Sequence, residues 1–402
     1  MRDIFYAANI YNKTKKREAL SLHTEQSFNE TNDIKIIGIS LETRPDQINK
    51  YELRRFRELG CTRIQIGVQH TDDEILKIIN RKHDVQCSVN AIKLMKDFGF
   101  KVDIHIMPDL PGATPEKDKA MFDEIFLTDK YKPDYVKIYP CLDVTYTEIR
   151  KWKEDGRWTP YSEKNGGKEI IDLILYVQKN LIDKYVRINR IQRDFPKEHN
   201  NNDFKGFVSD THMTNLRQIL EDRLKKDGVK CKCIRSREIK NGDYKLRDVR
   251  RNIMTYDASG GIDKFISFDD SKNDALLGFI RLRIPNEVES AQHFIPALRN
   301  AALIRELHVY GSLKKVNTKG EFSKPQHNGF GKSLVMTAEN IAWYNGYKKV
   351  AIISGVGVRK YYQRMGYVLK NTYMIKEITL KTVLYNLFFI LITYIKLMLS
   401  IR

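Results

Sequence analysis

Between residues 34 and 196, short apolar segments alternate with helical segments, and this alternation restricts the fold more than any other feature of the sequence. Segments such as PDQINKYELRRFRELG and KEIIDLILYVQKNLI have helical periodicity, and Gly60 is predicted to end the first of these helices. Strand–helix alternation at this spacing predicts a parallel sheet in an α/β fold, either a barrel or a doubly wound sheet. The predicted strands are IKIIGISLET (34–43), TRIQIGVQ (62–69), KVDIHIMPDLP (101–111), YVKIYP (135–140) and YVRINRIQRDFP (185–196).

Polar segments rich in glycine and proline follow four of the predicted strands. They read ETRPD, GVQH, MPDLPG and YPCLD. Because parallel sheets carry their functional loops at the carboxyl ends of the strands, we expect a site at this edge. The alternation stops at residues 197–259, and within them residues 222–251 hold 12 Lys and Arg against 5 Asp and Glu. A strand-rich pattern begins at residue 260 and indicates a second domain.

Two glycines, Gly329 and Gly331, stand at the start of an apolar-periodic helix in PQHNGFGKSLVMTAENIAWYNG, residues 325–346. Such a helix N-terminus offers unobstructed N–H groups to a phosphate. The P-loop and dinucleotide patterns both fail, because they need glycine at the positions of Gln326 and Leu334. The remaining pattern, Gln326-x-x-Gly329-x-Gly331, lies between RELHVYG and ISGVGVRKYYQRMGY and resembles the N-acetyltransferase fold. A glycine-capped helix turn without a ligand is the alternative interpretation.

The resemblance to N-acetyltransferases implies that this loop binds the diphosphate of acetyl-coenzyme A (acetyl-CoA), and that the ELHVYG strand splays from its neighbour to bind the pantetheine. Tyr361 and Tyr362 lie where that fold places its general acid, since a phenol can donate a proton to the departing thiolate. The sequence does not show which of them does so. Glu306 and His308 are candidates for a general base, or else strand residues with a structural role. The predicted acetyl-CoA contacts are Glu306, Leu307, His308, Val309, Gln326, His327, Asn328, Gly329, Phe330, Gly331, Lys332, Ser333 and Tyr361.

The chain is strongly basic. With 70 Lys and Arg against 51 Asp and Glu in 402 residues, its formal net charge is +19. Such an excess favours a polyanionic partner, either nucleic acid or an acidic membrane surface, unless it reflects a genome-wide lysine bias. Five cysteines are too few for a secreted disulfide framework, and the polar N-terminal segment MRDIFYAANIYNKTKK does not resemble a signal peptide. We therefore expect a reducing compartment, most simply the cytoplasm.

The C-terminal segment LYNLFFILITYIKLMLSI, residues 384–401, contains Lys396 as its only charged residue. A helix of this length rises roughly 27 Å, which is close to the thickness of a bilayer core. The segment therefore predicts a membrane anchor over residues 383–401, in an intracellular membrane such as the mitochondrial outer membrane. A hydrophobic helix docked on the protein's own surface, or one lying in the membrane interface, is the alternative.

Twelve sequence blocks, in order, resemble the catalytic subunit of the Elongator complex over roughly residues 2–378. They include GISLETRPD, LGCTRIQIGVQ, NRKH, GFKVDIHIMPDLPG, CIRSREI and QHNGFGKSL. The resemblance implies a radical S-adenosylmethionine (SAM) barrel joined to an acetyltransferase domain that uses acetyl-CoA to modify the wobble uridine of tRNA. It implies tRNA, and other Elongator subunits or a second copy, as partners. A protein lysine acetyltransferase acting on histones or tubulin, and a non-catalytic, membrane-tethered tRNA-binding subunit, are the alternatives.

The chain divides into four parts, and its basic side chains are candidates for RNA contacts, or else solvated surface residues. We expect a partial radical-SAM-type parallel (βα) barrel over residues 1–196, a basic linker over 197–259 and an N-acetyltransferase domain of the GNAT type over 260–378. Residues 379–402 form the hydrophobic tail. The basic side chains expected to face tRNA phosphates are Arg187, Arg190, Arg193, Lys230, Arg235 and Arg237.

The cysteines depart from the pattern of the family. A radical SAM cluster of four irons and four sulfurs needs three cysteines at Cys-x-x-x-Cys-x-x-Cys spacing, and this sequence has none. Either the N-terminus is missing from the gene model, or a reduced barrel persists as an RNA-binding scaffold. The barrel residues that then become site candidates are Glu42, Gln69, His105 and Asp109. Cys231 and Cys233, with His212 as a third ligand, are predicted as part of a zinc site, or else as ordinary thiols.

Overall fold

The predicted strands of the N-terminal half form one parallel sheet. In this computed structural model the strands are β1 (Ile39–Thr43), β2 (Cys61–Gln69), β3 (Lys101–Ile106), β4 (Tyr135–Ile138), β5 (Asp143–Val144) and β6 (Arg187–Ile191). The sheet has the order β1-β2-β3-β4-β6, with every neighbouring pair parallel. β5 instead pairs with β7 (Phe204–Lys205). The structure describes residues 1–14, 16–144, 146–192, 204–205, 216–239, 244–311 and 329–399, giving only the backbone for 204–205 and 396–399.

Helices cover one face of this sheet. Side-chain alternation along β2 and β3 buries residues such as Ile64 and Ile104 beneath the helices and places polar residues such as Gln65 and Asp103 on the other face. Gly60 follows α3 with φ +90°, which confirms the predicted stop of that helix. The helices up to residue 239 are α1 (Arg2–Ile10), α2 (Leu22–Asn29), α3 (Lys50–Glu58), α4 (Asp73–Ile78), α5 (Val85–Asp97), α6 (Pro115–Leu127), α7 (Glu148–Glu154), α8 (Lys168–Tyr176), α9 (Leu216–Lys226) and α10 (Ile234–Arg237).

A second, mostly antiparallel sheet forms the C-terminal half. Its strands are β8 (Val249–Ala258), β9 (Gly261–Asp270), β10 (Ala275–Ile284), β11 (Ala302–Val309), β12 (Lys349–Ile352), β13 (Val368–Lys370) and β14 (Tyr373–Glu377). They follow the order β13-β14-β12-β11-β10-β9-β8, with β11 and β12 parallel. The accompanying helices are α11 (Glu287–Ala291), α12 (Phe330–Tyr344), α13 (Arg359–Gln363) and α14 (Leu380–Leu399). The predicted α/β architecture of two successive domains agrees with these two sheets.

The segment expected to be a linker is largely packed. β8 pairs with β9 along its whole length, so the second sheet begins at Val249 and not at residue 260. Leu216 and Leu220 of α9 and Ile234 of α10 are fully buried in the core of the first domain. The predicted domain boundaries stay predictions, but the described part of 197–259 divides between the two domains.

The hydrophobic tail is a helix that packs on the second domain. Val383 and Asn386 of α14 are buried, and the Asn386 side chain donates to Glu339 Oε2 at 2.8 Å and lies 3.1 Å from Asn340 Oδ1, both on α12. Among the residues whose side chains the structure describes, no helix is long and apolar enough to span a membrane. The predicted membrane anchor is therefore not supported, because a buried asparagine fixes α14 to the protein's own surface.

Buried ion pairs join the two domains. Arg305, which occupies a bulge in β11, lies 2.6 Å from Asp134 of the first domain and 3.0 Å from Asp263 of β9. Lys96 of α5 completes the group, 2.9 Å from Asp263. Burial raises the pKa of Asp134, but Arg305 and Arg281 outweigh burial and hold it at about 2. Removing one partner would leave an unpaired charge buried in the interior, which is strongly destabilising. This group of ion pairs therefore holds the two domains together.

Candidate active site

A cavity of about 1650 Å³ lies where the two domains meet. This volume exceeds the 300–1,000 Å³ that is typical of small-molecule pockets. Both domains contribute to its wall, which places residues of the predicted acetyl-CoA site opposite the amino ends of the barrel strands. Its lining includes Ser40, Arg63, Lys101, Tyr135, Leu307, His308, Val309, Gly329, Gly331, Lys332, Tyr361 and Tyr362.

The N-terminus of α12 opens onto this cavity. Gly329 caps the helix in the left-handed region, with φ 73°, which glycine adopts at no steric cost. The Ser333 N–H donates to the Gly329 carbonyl at 3.0 Å and is the first N–H of the helix to find an acceptor within it. The N–H groups of Phe330, Gly331 and Lys332 precede it and have no acceptor within the helix. The N-terminus of a helix of this length, 15 residues, is the end that favours an anion.

The side chains of this first turn divide into two groups. Phe330 and Ser333 are buried, and the Phe330 ring stacks on Phe268 with a centroid distance of 4.7 Å, so Phe330 can offer a ligand only its backbone. The Ser333 N–H is already bonded within the helix turn. Lys332 lines the cavity. Gln326, His327 and Asn328 lie outside the described residues, and their predicted role stays a prediction.

The Tyr361 hydroxyl lies directly above the glycine turn. A Cβ atom added at Gly331 would stand 2.8 Å from this oxygen, so only glycine fits there without displacing the tyrosine. Burial raises the pKa of Tyr361 to about 12, and the phenol therefore keeps its proton at neutral pH. It is placed to donate a hydrogen bond into the cavity.

Tyr362 is more enclosed than its neighbour. It is 7% exposed, and its ring makes edge contacts with Tyr361 at 5.2 Å and with Tyr367 at 6.1 Å between centroids. Burial raises the pKa of Tyr362 as well. Both tyrosines line the cavity, but it is the Tyr361 hydroxyl that reaches the glycine turn.

β11 separates from β12 beside the cavity, as expected from the sequence. The two strands pair only over Ala302–Ile304, whereas β11 continues to Val309 with β10 as its only partner among the described strands. The bulge at Arg305 marks the point of separation. Residues 306–309 therefore present one backbone edge to the cavity, and a ligand can add to that edge as a further strand.

The two predicted general bases differ in their surroundings. Glu306 Oε2 accepts from Arg281 Nε at 2.9 Å, while Oε1 accepts from the Tyr135 hydroxyl of the barrel. Burial raises the pKa of Glu306, but Arg281 and Lys101 outweigh burial and lower it. A paired carboxylate with a lowered pKa is a weak base, which favours the structural role for Glu306. His308 is exposed and packs on Tyr310 at 4.4 Å between ring centroids.

A column of polar side chains crosses the inner face of the barrel. His105 Nε2 lies 3.1 Å from Gln65 Oε1, and its Nδ1 lies 3.6 Å from Glu42 Oε1. Burial lowers the pKa of His105 to about 4, so the ring is neutral at pH 7. Asp103 accepts from Asn189 at 2.7 Å in the same column. Two of the predicted barrel candidates, Glu42 and His105, thus belong to one network.

Asp109 and Gln69 occupy loop positions at the carboxyl ends of the strands. Both have a positive φ, 67° and 69°. The Asp109 carboxylate accepts from the backbone N–H groups of Tyr161 at 2.9 Å and Ser162 at 3.1 Å, so it fastens one loop to another. Burial raises its pKa to about 7, and the hydrogen bonds from Ser162 and Tyr161 limit the rise.

Sequence reasoning missed the barrel side of the cavity. Arg63, Lys101 and Tyr135 line it, and the Arg63 guanidinium lies 5.3 Å from the centre of the Tyr135 ring. The sequence does contain an indication of this face. Strands of a parallel sheet that is covered by helices on both faces are normally apolar on both faces. In KVDIHI every second residue is instead polar, and in TRIQIGVQ Arg63, Gln65 and Gln69 follow the same alternation, which indicates a face that is not covered by helices.

Comparisons with known proteins agree with this architecture. Residues 6–125 match the Radical SAM superfamily and residues 133–226 the Radical_SAM C-terminal domain. The tRNA uridine(34) acetyltransferase of Methanocaldococcus infernus is 38% identical over 90% of this chain, and the Elongator complex protein 3 of Schizosaccharomyces pombe is 36% identical over 92%. A solved structure of the archaeal M. infernus Elp3 with an N-terminal deletion superposes with a TM-score of 0.81 at 36% identity, covering 94% of this chain and 85% of that one.

The chain belongs to the Elongator complex protein 3 family. It spans 66% of the length of each of the two relatives named above. The radical-SAM-type barrel followed by a second α/β domain, expected from the sequence, is thereby confirmed.

The residues of the described chain do not fit the iron–sulfur cluster of the radical SAM members of this family. Cys61 and Cys141 are buried, and among the described residues no three His, Cys, Asp or Glu side chains are grouped to hold a metal. Cys231 and Cys233 form a buried pair in which a hydrogen bond from Cys231 lowers the pKa of Cys233. His212 lies outside the described residues, so the zinc site stays a prediction.

The basic residues predicted to bind RNA separate into exposed and buried ones. Lys230 and Arg235 are exposed. Arg237 is buried, 2.5 Å from Asp269 and 3.2 Å from Asp274, so the prediction that it faces RNA is wrong. Arg187 pairs with Glu238 at 2.6 Å and lines the cavity. Of the other two predicted residues, Arg190 is exposed on β6 and Arg193 lies outside the described residues.

Proposed function

We propose that this member of the Elongator complex protein 3 family is a tRNA uridine(34) acetyltransferase that draws its acetyl group from acetyl-CoA. One observation carries the proposal. Among the described residues, the N–H groups of the first turn of α12 that have no acceptor within the helix, the Tyr361 hydroxyl and the edge of β11 beyond Ile304 meet in a single cavity. This combination suits a ligand with a phosphate group at one end and an extended amide chain at the other.

Each group has a defined task in this proposal. The N–H groups of Phe330, Gly331 and Lys332 bind the diphosphate, and the missing side chain at Gly331 lets it approach the backbone. The edge of residues 306–309 hydrogen-bonds the amides of the pantetheine arm. When water adds to the thioester carbonyl and the carbon–sulfur bond breaks, the acyl group leaves as a carboxylate, and the Tyr361 hydroxyl donates a hydrogen bond to the departing sulfur. The thiolate takes one proton of that water, and the other goes to solvent.

SAM chemistry is a property of the radical SAM superfamily, which residues 6–125 match. A cluster-bound SAM supplies a radical when it is present, but the described cysteines do not fit such a cluster. No step assigned to this chain therefore runs through it. The barrel contributes instead the polar column that contains His105 and the cationic wall formed by Arg63 and Lys101.

The charge of the chain supports a tRNA substrate. Its net charge of +19 favours a polyanion, and Lys230 and Arg235 are exposed on the segment between the two domains. Phosphate contacts of this kind set affinity and position but do not read sequence. Other subunits of an Elongator-type complex are the protein partners that this proposal includes.

Release of the CoA thiol from acetyl-CoA, measured with and without tRNA, tests the proposal. We expect tRNA to stimulate release, and Tyr361→Phe to lower the stimulated rate by about 100-fold. Tyr344→Phe is the matched control, because Tyr344 is 69% exposed at the far end of α12. If the rate of thiol release does not depend on tRNA and a histone peptide is acetylated, the protein is instead a lysine acetyltransferase. No release under either condition would contradict the proposal.

A further inference from the structure

The C-terminal helix α14 runs antiparallel to α12 and contacts Lys332, a residue that lines the cavity. Asn386 lies against Glu339 and Asn340 in the middle of α12, and Phe389, one turn further along α14, lies against Lys332 in the first turn. Residues later in α14 therefore contact residues earlier in α12. The tail that resembles a membrane anchor in sequence thus passes beside the first turn of α12, in the candidate acetyl-CoA site.

Two aromatic rings of α14 hold the Lys332 ammonium. Its Nζ atom lies 4.3 Å from the centre of the Phe389 ring and 5.9 Å from that of Tyr385. Both distances are within the range of a cation–π contact. A ring face attracts the charge but does not use up all three N–H donors of the ammonium, so donors stay available for a phosphate.

We infer that α14 is a working part of the acetyl-CoA site, in which Phe389 and Tyr385 position the Lys332 ammonium to bind a phosphate group of the coenzyme. The inference rests on the proposed function and adds a positioning helix to it. Lys332 lines the cavity and belongs to the same helical turn that offers its free N–H groups. A long lysine held in one orientation loses less side-chain entropy on binding than a free one.

Titrations of acetyl-CoA into the full chain by calorimetry test the inference. Lys332→Met, which keeps the length of the side chain but removes its charge, should raise Kd about 10-fold. Phe389→Leu, which keeps an apolar side chain but removes the ring face, should raise Kd about 3-fold. Phe389→Tyr, which keeps a ring face, should retain the wild-type affinity for acetyl-CoA. Phe388→Leu is the matched control, since Phe388 is the adjacent residue and is 63% exposed.

The coupling between the two residues separates positioning from packing. In the Lys332→Met background, Phe389→Leu should have no further effect on Kd, because no ammonium remains to be positioned. If Phe389 only packs, the double variant will instead show the product of the two single effects. Thermal unfolding of every variant establishes that the loss of affinity is not loss of fold.

Coenzyme analogues identify the phosphate. If Lys332 binds the 3′-phosphate, Lys332→Met and wild type will have the same affinity for dephospho-CoA; if it binds the diphosphate, the 10-fold difference will persist. Either result supports the inference. Wild-type affinity in Lys332→Met, or in Phe389→Leu, overturns it. An absence of acetyl-CoA binding in the wild-type protein is a different result, because it contradicts the proposed function itself.

Discussion

Gly331 and Tyr361 are matched to each other, because a side chain at residue 331 would start 2.8 Å from the tyrosine hydroxyl. The glycine also lies in the first turn of α12, where its own N–H is unpaired within the helix. One residue thus leaves room both for a phosphate at the backbone and for the phenol above it. This pair is the geometric centre of the proposed acetyl-CoA site.

Gly331→Ala should disturb this pair in a way that can be reversed. The added methyl group displaces the Tyr361 side chain, and we expect acetyl-CoA turnover to fall about 10-fold or more. The backbone at residue 331 is helical, so alanine introduces no strain of its own. Coenzyme affinity should fall as well. In the double variant Gly331→Ala/Tyr361→Phe the clashing oxygen is absent, so affinity should recover in part, although the methyl group still obstructs the phosphate at the backbone, and turnover should stay low. Equal affinity of the two variants for acetyl-CoA would contradict the steric explanation.

Arg237 and Arg235 should respond differently to substitution by alanine, although they are two residues apart. Arg237→Ala leaves Asp269 buried without its cation, and the free energy of unfolding should fall by about 3–5 kcal/mol. Arg235→Ala removes an exposed charge and its hydrogen bond to the Asn189 carbonyl at 2.8 Å, and stability should change by about 1 kcal/mol or less. Urea denaturation measures both. In tRNA titrations at several salt concentrations, Arg235→Ala should lower the salt slope by about 1.

Asn386→Ala tests whether α14 belongs to the folded domain. The substitution removes the buried amide that donates to Glu339, and the free energy of unfolding should fall by about 1–3 kcal/mol. Leu384→Ala, on the exposed side of the same helix, is the control and should have little effect. If both variants are as stable as the wild type, α14 does not pack on α12 in solution.

His105 should make stability depend on pH. Its pKa is lowered to about 4 in the folded chain from an ordinary value near 6.5, so the unfolded chain takes up the proton first as the pH falls. Between about pH 6.5 and 4 the free energy of unfolding should therefore decrease by up to about 1.4 kcal/mol per pH unit, with no such effect above this range.

His105→Gln should remove this part of the pH dependence, whereas His23→Gln, at an exposed position, should leave it unchanged. Urea denaturation at pH 7.5, 6 and 5 gives the comparison. Identical slopes for the wild type and His105→Gln between pH 6.5 and 5 would show that the ring takes up its proton as readily in the folded chain as in the unfolded one.

The sequence predicted those features that depend on neighbouring residues. The parallel strands follow from local alternation, and the glycine turn at Gly329 and Gly331 is a local pattern whose cavity the structure contains. The burial of Arg237 depends on Asp269, which is distant in sequence, so a basic run could not distinguish it from exposed Arg235. The pairing of Glu306 with Tyr135 is likewise a contact between domains.

The C-terminal helix shows the same limit. An apolar run of 18 residues has the same composition whether it enters a bilayer or covers another helix. What decides is the partner of Asn386, and that partner, Glu339, lies on a different helix. Hydrophobic periodicity could locate α14 but could not identify the surface that it covers.

Equilibrium dialysis of radiolabelled acetyl-CoA against the full chain is the most direct test of the account. The structure predicts one saturable site per chain, competed by unlabelled CoA and weakened in Gly331→Ala. Equal concentrations of labelled acetyl-CoA on the two sides of the dialysis membrane, at every total concentration, would contradict the assignment of this cavity to acetyl-CoA.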